Sequence, residues 1–290
     1  LANLAYLLIT NQTLTLFLVA GLSLCVGSFL NVVIHRTPLI MQQGWRQECT
    51  IFLHPEQPPL NEPLLTLSLP ASRCPSCNHQ IRWYENIPLI SWIALRGQCS
   101  CCHHPIGVRY PLVELGTMLA SIVVFIVFGP TLTMLAALGM TWMLIALTGI
   151  DFDTQLLPDH MTLPLIAAGL LVNTQTLFVT PTQAIVGAVV GFLVLWVINA
   201  IAKAVMKRDG IGGGDFKLLA ALGAWLGPLM LPLILLMSSL IGSVIGLILL
   251  CVYKESRPFA FGPYLAIAGW IAMLWGTKIV SSYLVFAYLS

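Results

Sequence analysis

Gly210-Ile211-Gly212-Gly213-Gly214-Asp215-Phe216-Lys217 runs directly into the apolar stretch Leu218-Leu219-Ala220-Ala221-Leu222, which reaches Trp225. Adjacent glycines let the backbone adopt shapes that other residues resist and let a neighbouring chain approach closely. Asp215 then falls in the first turn of a helix, where the helix dipole favours negative charge. A second carboxylate, Asp151, closes the apolar run Met143 to Ile150. In a water-soluble chain these acids would only cap or solvate helix ends. Beside membrane spans, ionisable groups are rare and functional by default, and two of them can share one water.

Composition decides which case applies. Hydrophobic residues make up 58% of the 290 residues and charged ones 8%, against about 25% charged in a soluble domain. The expected fold is an all-α polytopic membrane protein. Apolar stretches predict about eight spans: Leu4 to Ile34, then about 110–129, 131–150, 157–174, 181–204, 215–226, 229–252 and 261–285. The span beginning at Asp215 is so short that it should sit within protein rather than face lipid along its length. Residues 1–35 hold no Lys or Arg, which argues against a cleaved signal peptide there. The organisation expected is a first transmembrane helix over 1–35, a water-exposed domain over 36–109 and a transmembrane catalytic bundle over 110–290. A net charge of +2 gives no reason to expect nucleic acid as a partner.

Positive charge orients the chain. Arg36, Arg46, Arg73, Arg82, Arg96 and Arg109 share the first loop, Lys203, Lys207, Arg208 and Lys217 surround the glycine run, and Lys254 and Arg257 follow. Alternating spans place all of these on one side and leave Lys278 alone. By the positive-inside rule that side is the cytoplasm, so the N terminus faces the periplasm and both carboxylates meet the cytoplasmic interface.

The 36–109 segment carries Cys74-Pro75-Ser76-Cys77 and Cys99-Ser100-Cys101-Cys102. Paired C-x-x-C knuckles suit tetrahedral thiolate coordination, and their spacer is slightly above the ~15–20 residues usual in zinc ribbons. Cytoplasmic thiols stay reduced, which disfavours a disulfide framework. The expected zinc ligands are Cys74, Cys77, Cys99 and Cys102, with Cys101, His79, His103 and His104 as substitutes for one of them. Cys25 and Cys251, inside apolar spans, are expected to be buried packing residues.

These motifs, in this order, resemble the type IV prepilin peptidases, bifunctional leader peptidase and N-methyltransferase enzymes of pilus and type II secretion systems. The resemblance runs through Gly27-Ser28-Phe29-Leu30-Asn31 to Arg36, and through the cysteine block with Trp83-Tyr84-Glu85-Asn86-Ile87-Pro88 inside it. It continues through Arg109-Tyr110-Pro111-Leu112-Val113-Glu114, Ile150-Asp151-Phe152-Asp153, Leu157-Pro158-Asp159 and Gly212-Gly213-Gly214-Asp215-Phe216-Lys217. It departs from the family pattern at the added Cys101. The resemblance implies that Asp151 and Asp215 are the catalytic pair of an aspartic endopeptidase, with Gly212, Gly213 and Gly214 as the active-site loop. It also implies prepilin or pseudopilin substrates with basic cytoplasmic leaders, a bacterial inner-membrane location, and methylation of the new N terminus with S-adenosylmethionine.

Asp153 is read as a supporting or solvated group and Asp159 as the cap of the next helix. No Gly-rich nucleotide turn occurs between Arg36 and Arg109, so no methyl-donor residue is assigned. Trp83, Tyr84 and Glu85 could line such a pocket, although a Trp-Tyr pair beside a knuckle more often forms a small core. Helix-end electrostatics makes Asp215 the general base and Asp151 the general acid. Two other classes fit the same topology: a transporter with an aspartate ion relay, and a non-catalytic zinc-ribbon docking protein.

Overall fold

The computed structural model describes residues 11–55, 65–207, 212–253 and 260–289. Gly210, Ile211, Arg208, Lys254 and Arg257, named above, lie outside these residues, as do residues 1–10 of the first expected span. The chain divides into two compact units, 1–126 and 127–290.

The first unit opens with α1 (Gln12–Leu53), 42 residues long and capped by Asn11, whose side chain accepts from the Leu14 amide. This helix runs straight through Arg36, where the sequence changes from apolar to polar. Polarity there marks a change of solvent and not a helix end: Gln42, Gln43, Arg46, Gln47 and Glu48 are all compatible with helix. Pro38 lies inside it. The Arg36 guanidinium donates to the carbonyls of Thr66, Leu67 and Pro70 at 3.0, 3.2 and 2.7 Å, which fastens the following loop to α1. After a 3-10 turn over Trp83–Asn86 come α2 (Ile90–Ala94) and α3 (Arg109–Phe128). Asn31 of α1 donates to the Tyr110 carbonyl of α3 at 3.0 Å, and the buried Glu114 of α3 accepts from the Leu89 amide at 2.8 Å. These polar ties join the two long helices and α2 where apolar packing alone would not fix register.

The second unit holds α4 (Leu132–Thr154), α5 (Asp159–Asn173), α6 (Pro181–Met206), α7 (Gly213–Leu226), α8 (Leu231–Tyr253) and α9 (Gly262–Leu289). Among the described residues six helices are long and apolar enough to cross a membrane: α1, α3, α4, α6, α8 with the turn before it, and α9. The other two expected spans are α5, at 15 residues, and α7, at 14. At 1.5 Å per residue these reach only about 22 Å, short of a hydrocarbon core of about 30 Å.

α7 is the centre of this unit, and every residue from Leu218 to Leu226 is buried. α5, α6 and α9 pack around it. A Cβ on Gly187 of α6 would collide with the Gly223 carbonyl of α7, and one on Gly223 with the Gly187 carbonyl, so the two helices touch backbone to backbone. Burying a helix end normally strands its last carbonyls. Here Asn173 at the end of α5 donates to the carbonyls of Ala224 and Trp225 at 2.9 and 3.0 Å, while its own oxygen accepts from the Phe178 and Val179 amides. The Trp225 indole donates to the Leu165 carbonyl at 2.9 Å. α7 is thus held at its far end by hydrogen bonds, and its first turn is fixed relative to the helices around it.

Candidate active site and metal centre

Asp215 occupies the first turn of α7 and Asp151 the last turn of α4. The two residues are 8% and 4% exposed, and they lie near enough for the charge of one to act on the other. Behind Asp215, Gly212 takes the N-cap position and its carbonyl accepts the Asp215 amide at 3.1 Å. Gln155 takes a left-handed conformation just past Asp151 and returns its amide to the Asp151 carbonyl at 2.8 Å. α4 therefore ends immediately beyond its acid.

Two glycines make room for the pair. A Cβ on Gly262, the first residue of α9, would lie 2.5 Å from Asp151 Oδ2 and 3.2 Å from Leu157 Cδ1. One on Gly214 would lie 2.6 Å from Leu157 Cβ. Leu157 is thus an apolar wedge between the start of α7 and the start of α9, and Gly262 leaves the Asp151 carboxylate open at close range. Asp151 Oδ2 is buried and has no hydrogen-bond partner among the described residues. Gly213 has nothing within 4 Å of an added Cβ, and Gly212 only Asp215 Oδ2 at 3.7 Å. Against the described residues, Gly214 alone of the three loop glycines is sterically required.

Asp153 is exposed. Asp159 is the first residue of α5 and not its cap, a position taken by Pro158. Its carboxylate instead pairs with Lys217, two residues beyond Asp215, which ties the start of α5 to the start of α7. Opposite charges opening two apolar helices were the available signal for this pair. Gly262 gave none, because its role depends on a helix end brought in from far along the chain.

In the first unit the sulfurs of Cys74, Cys77, Cys99 and Cys102 lie within 4.8 Å of one another, with Cys74 to Cys102 at 3.7 Å and Cys77 to Cys99 at 4.0 Å. Tetrahedral zinc with bonds of about 2.3 Å puts its thiolates about 3.8 Å apart, so this cluster could hold zinc. The two knuckles are built alike. Asn78 and His103, both with positive φ, donate to the carbonyls of Cys74 and Cys99, and those cysteines donate in turn to His79 and His104. The Cys77 and Ser76 amides hold the Cys74 thiol down to about 6 and the Cys102 and Cys101 amides lower Cys99, whereas, against the His79 backbone, burial and the neighbouring sulfurs push Cys77 up to about 12, so Cys74 and Cys99 are the readiest thiolates. Cys101, His79, His103 and His104 stand outside the four-sulfur set. Cys25 and Cys251 are exposed rather than buried, since the outside of a span is apolar surroundings as much as a core is.

Trp83 is 83% exposed and forms no core. The half-buried Trp92 instead packs against Gly97 and donates to the Ile106 carbonyl at 3.3 Å. Tyr84 and Glu85 instead line a cleft of about 430 Å³ with His79, Arg82, Ser91 and Cys101. The Glu85 carboxylate accepts from the Arg82 amide at 2.8 Å. That amide and Ser100 hold it below the ordinary carboxylate range.

Fold and sites together define a polytopic helical membrane protein with a buried aspartate pair and a separate four-thiolate knuckle. The chain belongs to the type IV leader peptidase family: that family matches residues 138–247, and the bacterial peptidase A24 N-terminal domain matches residues 22–128. It is 52% identical to the prepilin leader peptidase/N-methyltransferase of Aeromonas hydrophila, over 90% of this chain and 91% of that one. The proteins of that name from Stutzerimonas stutzeri and Legionella pneumophila are 50% and 44% identical, over 92% and 96% of this chain and 93% and 97% of theirs. No solved structure matches the chain.

Proposed function

We propose that this protein is a membrane aspartic endopeptidase that removes the basic leader from type IV prepilins or type II secretion pseudopilins and methylates the N terminus it creates. The observation that carries the peptidase reading is the joint burial of Asp151 and Asp215 at two helix ends, with one Asp151 oxygen that has no hydrogen-bond partner among the described residues. Membership of the family and the names of its relatives give the substrate class.

In this reading one aspartate acts as carboxylate and takes a proton from water, while the other, protonated, donates to the scissile carbonyl oxygen. Water oxygen bonds to the carbonyl carbon. The proton gained by the base then passes to the leaving nitrogen as the C–N bond breaks, which leaves the leader with a free carboxylate and the pilin with a free amine. We assign Asp215, at a helix N-terminus, as base and Asp151, at a helix C-terminus, as acid, with the proton shared by a coupled pair. Gly214 and Gly262 keep the approach open. Cys74, Cys77, Cys99 and Cys102 would hold one structural zinc, which supplies folding energy to the 36–109 domain. The distribution of Arg and Lys supports a cytoplasmic position at the inner membrane for this domain and the aspartates, with a periplasmic N terminus.

The test is cleavage of a synthetic prepilin by purified protein in detergent, with Asp151→Asn and Asp215→Asn. Loss of cleavage in both, with folding retained, is expected. Substantial cleavage by either removes the assignment.

A further inference from the structure

The methyl donor requires a site, and the cleft beside the knuckles offers one. Its volume, about 430 Å³, lies within the range of small-molecule pockets. Four of its wall groups match the chemistry of S-adenosylmethionine. Glu85 presents a carboxylate whose side chain is only 9% exposed, suited to a sulfonium or ammonium cation. Arg82, which reaches the Tyr84 hydroxyl through one guanidinium nitrogen, suits a carboxylate. The half-exposed Tyr84 ring can lie against a purine. Among the described residues His79 Nε2, buried at the wall, has no full hydrogen bond and only the Glu85 carboxylate near it, at 3.5 Å, although such atoms are nearly always satisfied in a finished site. A ring nitrogen and a carboxylate that meet only at that long distance can each take a shorter hydrogen bond from a hydroxyl-bearing ligand.

We infer that the cleft between the Trp83–Asn86 turn and α2, walled by His79, Arg82, Tyr84 and Glu85, is the S-adenosylmethionine site. This rests on the methyltransferase reading above. The carboxylate gives the site a direction. Transfer moves the methyl from sulfur to the pilin amine, which releases a proton, and the sulfonium becomes a neutral thioether. Glu85 therefore holds the charged donor more tightly than the spent product, which favours exchange after each turnover.

Equilibrium dialysis of full-length, zinc-loaded protein in detergent against S-adenosylmethionine and S-adenosylhomocysteine tests this, with methylation of a cleaved pilin peptide followed in parallel by mass. Glu85→Gln keeps an oxygen for the Arg82 amide and removes the charge. It should weaken S-adenosylmethionine by about tenfold or more, the scale of one charged hydrogen bond, and S-adenosylhomocysteine much less. Ala94→Trp, which fills the cleft from α2, should abolish both. Each variant is scored only with wild-type zinc content and protease resistance. In the wild type, S-adenosylhomocysteine should slow alkylation of Cys101, on the cleft wall, and leave that of Cys49 unchanged. Wild-type protein that neither binds nor methylates would overturn the methyltransferase reading itself. Wild-type protein that methylates, but whose Cys101 is unprotected or whose Ala94→Trp variant still binds, would overturn the cleft assignment alone.

Discussion

The aspartate site and the cysteine site are built by opposite means. Asp151 and Asp215 stand at the ends of helices that are distant in sequence, and their meeting depends on α7 being sheathed by α5, α6 and α9. The four cysteines come from two short knuckles whose turns are made locally, each closing on its own backbone. A site assembled by helix packing inherits the rigidity of the bundle. A site assembled from two turns needs a metal to hold those turns together, because little apolar surface is buried around it. Disruption should therefore spread in different ways from the two sites.

The largest effect should come from the acids: Asp151→Asn or Asp215→Asn should lower leader cleavage by on the order of 10²–10⁴-fold, with zinc content and methyl-donor binding unchanged. Loss of zinc in either variant would erase the distinction between the regions. Next comes the bundle. Gly223→Leu forces a side chain into the Gly187 backbone and should abolish cleavage and lower the melting temperature. Limited proteolysis should still find the knuckles intact, and their joint loss would mean that the units fold as one. Third, Cys74→Ser with Cys77→Ser should reduce zinc from one per chain to none and open residues 36–109 to protease; metal analysis and peptide mapping check both. The smallest effect belongs to the exposed Lys217 and Asp159 pair, since surface ion pairs contribute about 0–1 kcal/mol. Asp159→Asn should keep cleavage within about fivefold of wild type by that measure, and a greater loss in kinetic assays would make the pair a positioning device for Asp215.

The same contrast decides what could be read from sequence. The cysteine cluster was legible because its spacing is local and its chemistry narrow, and the four-sulfur set excludes Cys101 as the spacing alone could not. The burial of the short α7 was legible from its length, since fourteen apolar residues cannot span a bilayer and must find protein. Gly262 was not legible, because a glycine opening an apolar helix looks the same whether or not a carboxylate lies against it. Trp83 misled because an aromatic pair signals apolar area without saying where it lies, and it is Trp92, nine residues on, that packs against the Gly97 turn. The end of α1 was missed because a change from apolar to polar residues reports the surrounding solvent, whereas helix termination requires a backbone cause that residues 36–53 do not supply.

The continuity of α1 makes it a lever. About 26 Å of helix follows Arg36 at 1.5 Å per residue, with only Pro38 to soften the join. If the first span tilts by about 10° to match a thicker or thinner bilayer, the far end near Leu53 is carried sideways by about 5 Å. Arg36, which grips the loop leading to the first knuckle, lies close to the fulcrum and moves little. Lipid thickness thus acts on the tip of the rod while the knuckle attachment stays still, and membranes of different acyl-chain length would set different positions for Leu53.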